Sequence, residues 1–349
     1  MANQDGGKRE KKRRKGGRRR TAGRAAVGLG TAAAAAYSVY LLGSTRTRRF
    51  PVTELGNALG LPLGYVRWRD RYYAHYTRKG RGRPLVLLHG INAVASAHEM
   101  APLARAFAAA GRPLFALEWL GFGHSDRPDL QYTPELLEDQ LEHYLAEVVR
   151  PVRGADVVAF SLGATYAAEV ARREPGLVHT LTAIEPAGLG SEPGGIGAIP
   201  QRLLFTLPGV QRAFYDRLTT RAALRRFARE NLFSSSKEVP EEYVEYGAET
   251  ARAEGASRPL DDFLSGRLFP ADAVERFASL RQPLLICVGT VEERRMDGYE
   301  RLPELERREG VEVVRLTTGA LPHWERSAEV AERIRGFQAA GEAADPVPA

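Results

Sequence analysis

The sequence has a single cysteine, Cys287, which excludes an internal disulfide framework and a cysteine-based zinc site. It has no internal repeat. It also lacks a basic surplus over most of its length, although the 349 residues carry a formal charge of +7 and the pI is about 9.6. Met1 to Arg24 holds 11 bases against 2 acids, and the other 325 residues hold 39 bases against 41 acids. A fold that grips nucleic acid through a broad basic face is therefore excluded, and only the tail is left to touch anions. Wholesale disorder is excluded too, because 44% of residues are hydrophobic and 27% charged. The length suits one large α/β domain or two average ones.

Residues 1–24 form a basic tail whose Lys8 to Arg20 run repels itself and cannot bury a core, so it is expected to be disordered. Residues 25–44 carry no charge. Those 20 residues would make a helix of about 30 Å, the thickness of a bilayer core. Ala and Gly dominate, and only Val27, Leu29, Tyr37, Val39, Tyr40, Leu41 and Leu42 are bulky. The first expectation is a single-pass membrane anchor. The 11 bases before it outweigh Arg46, Arg48 and Arg49 after it, which places the following domain outside the cytoplasm. A cleaved signal peptide, with A-x-A sites within Ala32 to Ala36, is a second reading. A soluble Ala-rich helix is the third.

From Tyr65 onward short apolar runs alternate with amphipathic helical stretches. The runs are Pro84 to Leu88, Pro113 to Leu117, Ala155 to Phe160, Thr180 to Ile184, Pro283 to Val288 and Val311 to Leu316. That alternation predicts a mostly parallel sheet with helices on both faces, with Tyr65 to Tyr76 supplying a leading antiparallel pair. It stops between Gly188 and Leu280, where a Gly/Pro-rich loop leads into helical segments rich in aromatic residues. The expected organisation is therefore 45–190 as the first part of the core, 191–280 as a helical cap, and 281–349 as the second part of the core. A cap in that place would cover the C-terminal strand edge, where open α/β sheets bind ligands.

The motif richest in chemistry is Val157-Val158-Ala159-Phe160-Ser161-Leu162-Gly163-Ala164. An apolar strand runs into Ser161 and at once into a small-residue helix. So sharp a turn crowds strand against helix, and only small residues such as Ala159 and Gly163 fit on either side of it. This is a nucleophile-elbow arrangement with Ala in place of the first Gly. It exposes the hydroxyl and aims the helix start, including the Leu162 N–H, at a developing oxyanion. A second strand ends in His89-Gly90-Ile91, and Ile91 is the expected second oxyanion donor, with His89 itself structural. A third signal is the tight loop Gly121-Phe122-Gly123-His124-Ser125-Asp126 after the strand that ends in Leu117 and Glu118.

Taken in order, these motifs resemble the α/β-hydrolase superfamily over roughly Tyr65 to Phe337. The resemblance implies an eight-stranded mostly parallel sheet with a helical cap, a Ser-acid-His triad in that chain order, and no cofactor. The acid follows the strand Pro283 to Val288, where Gly289-Thr290-Val291-Glu292 puts Glu292 in register. Glu293 and Glu185 are the alternatives. For the base, members of the superfamily read Gly-His-x-Pro-His-x-Glu-Arg, whereas this chain reads Gly319-Ala320-Leu321-Pro322-His323-Trp324-Glu325-Arg326. Ala320 takes the usual catalytic position, and His323 is the only histidine after the cap. The expected site is Ser161, Glu292 and His323 as triad with Ile91 and Leu162 as oxyanion donors. The expected function is a membrane-anchored serine hydrolase acting on a small-molecule or lipid-like acyl ester, with no nucleic acid partner. The alternative is a binding protein on the same scaffold that has lost its base.

Overall fold

The computed structural model describes residues 49–190, 210–235, 239–291 and 299–344. The expected tail, the 25–44 segment and Glu292 lie outside them. Among the described residues no helix is long and apolar enough to cross a membrane.

The apolar runs form the strands β1 (Leu63–Trp68), β2 (Arg71–Arg78), β3 (Leu85–Leu88), β4 (Leu114–Leu117), β5 (Ala155–Phe160), β6 (Val178–Ile184), β7 (Leu284–Gly289) and β8 (Val311–Leu316). They make one sheet in the order β1-β2-β4-β3-β5-β6-β7-β8. The β1–β2 and β2–β4 pairs are antiparallel and the rest parallel. β3, β5 and β7 are buried at every position, because helices cover both faces. Alternate residues feed two cores: Val86, Leu88, Val157 and Ala159 point to one, Leu85, Leu87, Val158 and Phe160 to the other.

The helices that matter for the site are α1 (Ala101–Phe107), α2 (Pro134–His143), α3 (Leu162–Arg173), α4 (Val210–Leu218), α5 (Arg221–Phe227), α6 (Glu241–Thr250), α7 (Leu260–Leu264), α8 (Ala273–Ala278), α9 (Leu302–Glu306), α10 (Pro322–Glu325) and α11 (Ser327–Ala344). Local signals set their ends. Thr133 caps α2 by accepting the Leu136 N–H, with Pro134 at the first helical position. α4 to α7 come from the stretch read as a cap. Their ties to the core are specific: the Tyr215 hydroxyl donates to the Ala93 carbonyl at 2.8 Å, and the Tyr132 N–H to Asp262 at 2.7 Å. Buried Arg127 joins the Gly121 and Gly123 carbonyls to Thr250. α8, from the same stretch, sends Val274 and Phe277 into the core that α3 enters.

Candidate active site

Ser161 stands where β5 gives way to α3. Its backbone is at φ 54° and ψ −128°, a conformation that disfavours any side chain. The surroundings hold it there. The Ser161 N–H donates to the Ile184 carbonyl at 2.9 Å, which pins the turn to the end of β6. Gly163 is required because a Cβ there would lie 2.4 Å from the His89 carbonyl oxygen. Gly90 is pressed as closely, since a Cβ there would come within 2.9 Å of the Phe160 ring and 3.2 Å of the Ser161 Cβ. Two glycines thus bring the loop after β3 against the elbow.

A serine at a helix start ordinarily caps it. Ser161, a partly buried residue, does not, so its hydroxyl is left for other chemistry. Ile91 and Leu162 are both buried, and among the described residues neither N–H finds an acceptor. Leu162 is at the first position of α3, where N–H groups have no intrahelical partner. The structure therefore gathers a strained serine and two idle N–H donors on adjoining segments at the C-terminal edge of the sheet. That is an arrangement able to receive an oxyanion.

The base is not joined to this group. His323 is fully buried in α10; its Nε2–H donates to the Glu99 main-chain carbonyl at 3.0 Å, and among the described residues its Nδ1 has no partner. Its ring rests on Phe160 with centroids 4.9 Å apart. Burial pulls its pKa down to about 3, against the help of that hydrogen bond, so the ring is neutral. Among the described residues, the hydrogen bonds of His75, His89, His124, His143 and His323 all go to groups other than the Ser161 hydroxyl. His89 accepts the Trp119 N–H through Nε2 at 3.2 Å and donates through Nδ1 to the Gly90 carbonyl, a structural role. His124 donates to the Leu55 carbonyl and accepts from Tyr76. His75 and His143 face tyrosines, and His98 stacks on Tyr246.

The loops that would carry acid and base do meet. A Cβ on Gly289 would lie 2.0 Å from the Gly319 carbonyl, and the Val291 N–H donates to the Thr318 carbonyl at 3.1 Å. Glu185, at φ 46° just after β6, accepts from the Gly289 N–H and the Tyr299 hydroxyl. Ala320 follows Gly319, whose backbone is pressed against Leu232 and Phe233. Clefts of about 420 and 390 Å³ lie elsewhere: one at the opposite sheet edge beside Arg83, Pro113 and Glu342, one between α1 and α6 beside Trp324. Buried Cys287 is inert, its thiol pushed up to about 12 by desolvation.

Sequence reasoning passed over Glu99 and gave Glu118, which stands where similar sequences often carry Asp, no role in the site. Glu118 is buried with Oε2 3.4 Å from His89 Nε2, accepts the Ala97 N–H, and fills the space that a side chain at Gly123 would need. The one available signal for Glu99 was its solitude, as the single acid in the apolar stretch Ile91 to Ala104.

A model of the alpha/beta hydrolase family matches residues 85–333. The chain belongs to the alpha/beta hydrolase family. Among solved structures it is similar to a probable hydrolytic enzyme from Pseudomonas aeruginosa PAO1, with a TM-score of 0.64 at 18% identity, covering 83% of this chain and 98% of that one. It is similar as well to a membrane phospholipase A described as a bacterial virulence factor, with a TM-score of 0.62 at 22% identity, covering 93% and 99%. A third is the enol-lactonase from Burkholderia xenovorans LB400, with a TM-score of 0.60 at 16% identity, covering 79% and 100%. At these identities the structures share the fold. No curated protein matches the sequence. The family and its hydrolase members support a hydrolytic enzyme.

Proposed function

We propose that this protein is a serine hydrolase that cleaves a carboxylic ester, lipid-like or small, through an acyl-enzyme. The observation that carries the reading is the uncapped, strained Ser161 beside the two idle N–H groups of Ile91 and Leu162. Ser161 Oγ attacks the acyl carbonyl, and the two N–H groups receive the oxygen as it becomes anionic. His323 takes the hydroxyl proton and returns it to the departing alcohol, with Glu292 orienting the ring. Water then repeats the sequence on the acyl-serine. Because Nε2 is engaged with Glu99, Nδ1 is the nitrogen with a free lone pair. Its depressed pKa weakens it as a proton acceptor. A fluorophosphonate probe tests the reading: it should label wild type at Ser161 and leave Ser161→Ala unlabelled.

The placement of His323 favours a second reading, a scaffold that binds an acyl ligand without turning it over. Ala320 in the usual histidine register points the same way. A wild type that binds an ester, remains unlabelled and releases no alcohol would establish it.

Membrane attachment through residues 25–44 belongs to the proposal. It is supported by the uncharged length of the segment and its basic flanks. The full chain should stay with membranes through high-salt and alkaline washing, and deletion of residues 1–44 should release it. Release of the full chain by salt alone would leave only the basic tail as the tether.

A further inference from the structure

Glu99 sits in the short 3-10 turn Ala97–Met100 that leads into α1, and it is only 4% exposed. A carboxylate in such a place is costly unless both oxygens are met. Both are. Oε2 accepts the Gly90 N–H at 2.9 Å, and Oε1 accepts from Asn92 Nδ2 at 2.6 Å. Asn92 cannot turn its amide around, because its Oδ1 already accepts the Val94 N–H at 2.9 Å. The main chain of Glu99 works in the other direction. Its carbonyl accepts from His323 Nε2 at 3.0 Å and from Trp324 Nε1 at 2.8 Å. One residue therefore joins the loop after β3 to the turn after β8, across 224 positions of sequence.

We infer that Glu99 is a positioning residue, whose carboxylate sets the Gly90–Asn92 loop while its carbonyl sets the His323 ring. The inference rests on the serine-hydrolase reading and deepens it. Engaging the Gly90 N–H fixes the His89–Gly90 peptide, and the bond from His89 Nδ1 to the Gly90 carbonyl holds the next one, which carries the idle Ile91 N–H. Gly90 is packed so close to the elbow that a Cβ on it would lie 3.2 Å from the Ser161 Cβ, so a shift of this loop moves the oxyanion donors relative to the nucleophile. Burial pushes the Glu99 carboxyl above its ordinary range, while His89, Asn92 and the Gly90 N–H pull it back. Those two side-chain bonds hold the acceptor geometry in place.

The test is a polarity exchange in the full-length protein. Glu99→Gln keeps one acceptor for the Gly90 N–H but turns an NH2 toward the Asn92 NH2. Its kcat on a p-nitrophenyl ester should fall by about 10²-fold, the loss expected when an oxyanion donor is displaced by about 1 Å, with KM little changed. Adding Asn92→Asp restores a donor–acceptor pair with the roles reversed. The Glu99→Gln, Asn92→Asp double variant should recover at least 10-fold of the lost kcat. Asn92→Ala leaves the Glu99 carbonyl contacts untouched, and should lower kcat in a folded protein even if Glu99→Gln fails to fold. A purely structural role would lower the unfolding midpoint of each variant without a kcat-specific loss. Active wild type with Glu99→Gln and Asn92→Ala at parity would overturn the inference alone. A wild type with neither turnover nor label at Ser161 would overturn the hydrolase reading, and the inference with it.

Discussion

Replacing His323 with Phe separates a base from a brace, because at nearly constant stability a base predicts lost turnover and a brace predicts turnover close to wild type. The ring is fully buried against Phe160, so Phe occupies much the same space. The change removes the Nε2–H bond to the Glu99 carbonyl, worth about 1 kcal/mol. That carbonyl is not orphaned, since Trp324 still donates to it at 2.8 Å. The change also removes the unpartnered Nδ1, whose burial costs about 1–3 kcal/mol. The terms offset, so His323→Phe should unfold in urea within about 1.5 kcal/mol of wild type at pH 7. His323→Ala, which opens a cavity, should lose about 3 kcal/mol. On the same preparations, ester turnover and probe labelling of His323→Phe should fall by several orders of magnitude if the imidazole accepts the Ser161 proton. Turnover equal to wild type in a folded His323→Phe would refute that role. Equal destabilisation by Phe and Ala would refute the packing argument.

The same variant has a pH signature. Burial holds the folded-state pKa of His323 at about 3, against an ordinary 6.5. Between those values the unfolded chain binds more protons than the folded one. The stability that comes from keeping the ring neutral is thus complete above pH 6.5 and is lost as the pH falls toward 3. The slope approaches about 1.4 kcal/mol per pH unit for one proton. His323→Phe should therefore lose stability less steeply than wild type between pH 6 and pH 4. His98, lowered to about 4 by burial, contributes in both proteins and cancels in the difference.

Two further substitutions test the elbow. Ser161→Gly should abolish probe labelling yet raise the urea midpoint, because it relieves φ 54° and gains about 1 kcal/mol; a lower midpoint would show that the turn is not strained. Gly163→Ala puts a methyl 2.4 Å from the His89 carbonyl oxygen, so it should cost about 2 kcal/mol in thermal or urea unfolding and lower turnover, and an unchanged midpoint would contradict the close packing.

The sheet was legible because burial on both faces writes short, uninterrupted apolar runs. Each run from Pro84 to Leu316 became a strand within two residues of its expected bounds. The elbow was legible for a related reason: strain and crowding leave small residues at Ala159, Gly163 and Gly90, and such steric demands show in a sequence. Hydrogen-bond partners across long separations do not. Nothing near His323 announced that its ring would reach Glu99, and the loop after β8 can be placed only by the atoms packed against it. Gly319 is one such point, since a Cβ there would meet the Leu232 carbonyl at 2.4 Å. Nor did the sequence announce which residues of the expected cap would reach the sheet: Val274 and Phe277 enter one of its cores and Tyr246 the other.

The buried carboxylates at the C-terminal edge of the sheet share one habit that bears on the identity of the triad acid. Glu99 takes the Gly90 N–H, Glu118 the Ala97 N–H and Glu185 the Gly289 N–H. Each holds the backbone of a loop that leaves a strand, which suits a site whose donors must stay fixed while charge moves. Glu185 illustrates the consequence. It follows β6 as Ser161 follows β5, in adjacent register and with the same positive φ, so by position it is a natural rival to Glu292. Yet one carboxylate oxygen faces the Gly289 N–H and the other the Tyr299 hydroxyl, and neither nitrogen of His323 bonds to it. In this arrangement Glu185 steadies the exit of β7, the loop that runs on to Glu292, rather than orienting an imidazole. Among the described residues, the Glu99 main-chain carbonyl is the group that His323 bonds. An acid at Glu292 would therefore have to compete with that carbonyl for the Nε2 proton, or act on the ring after it turns.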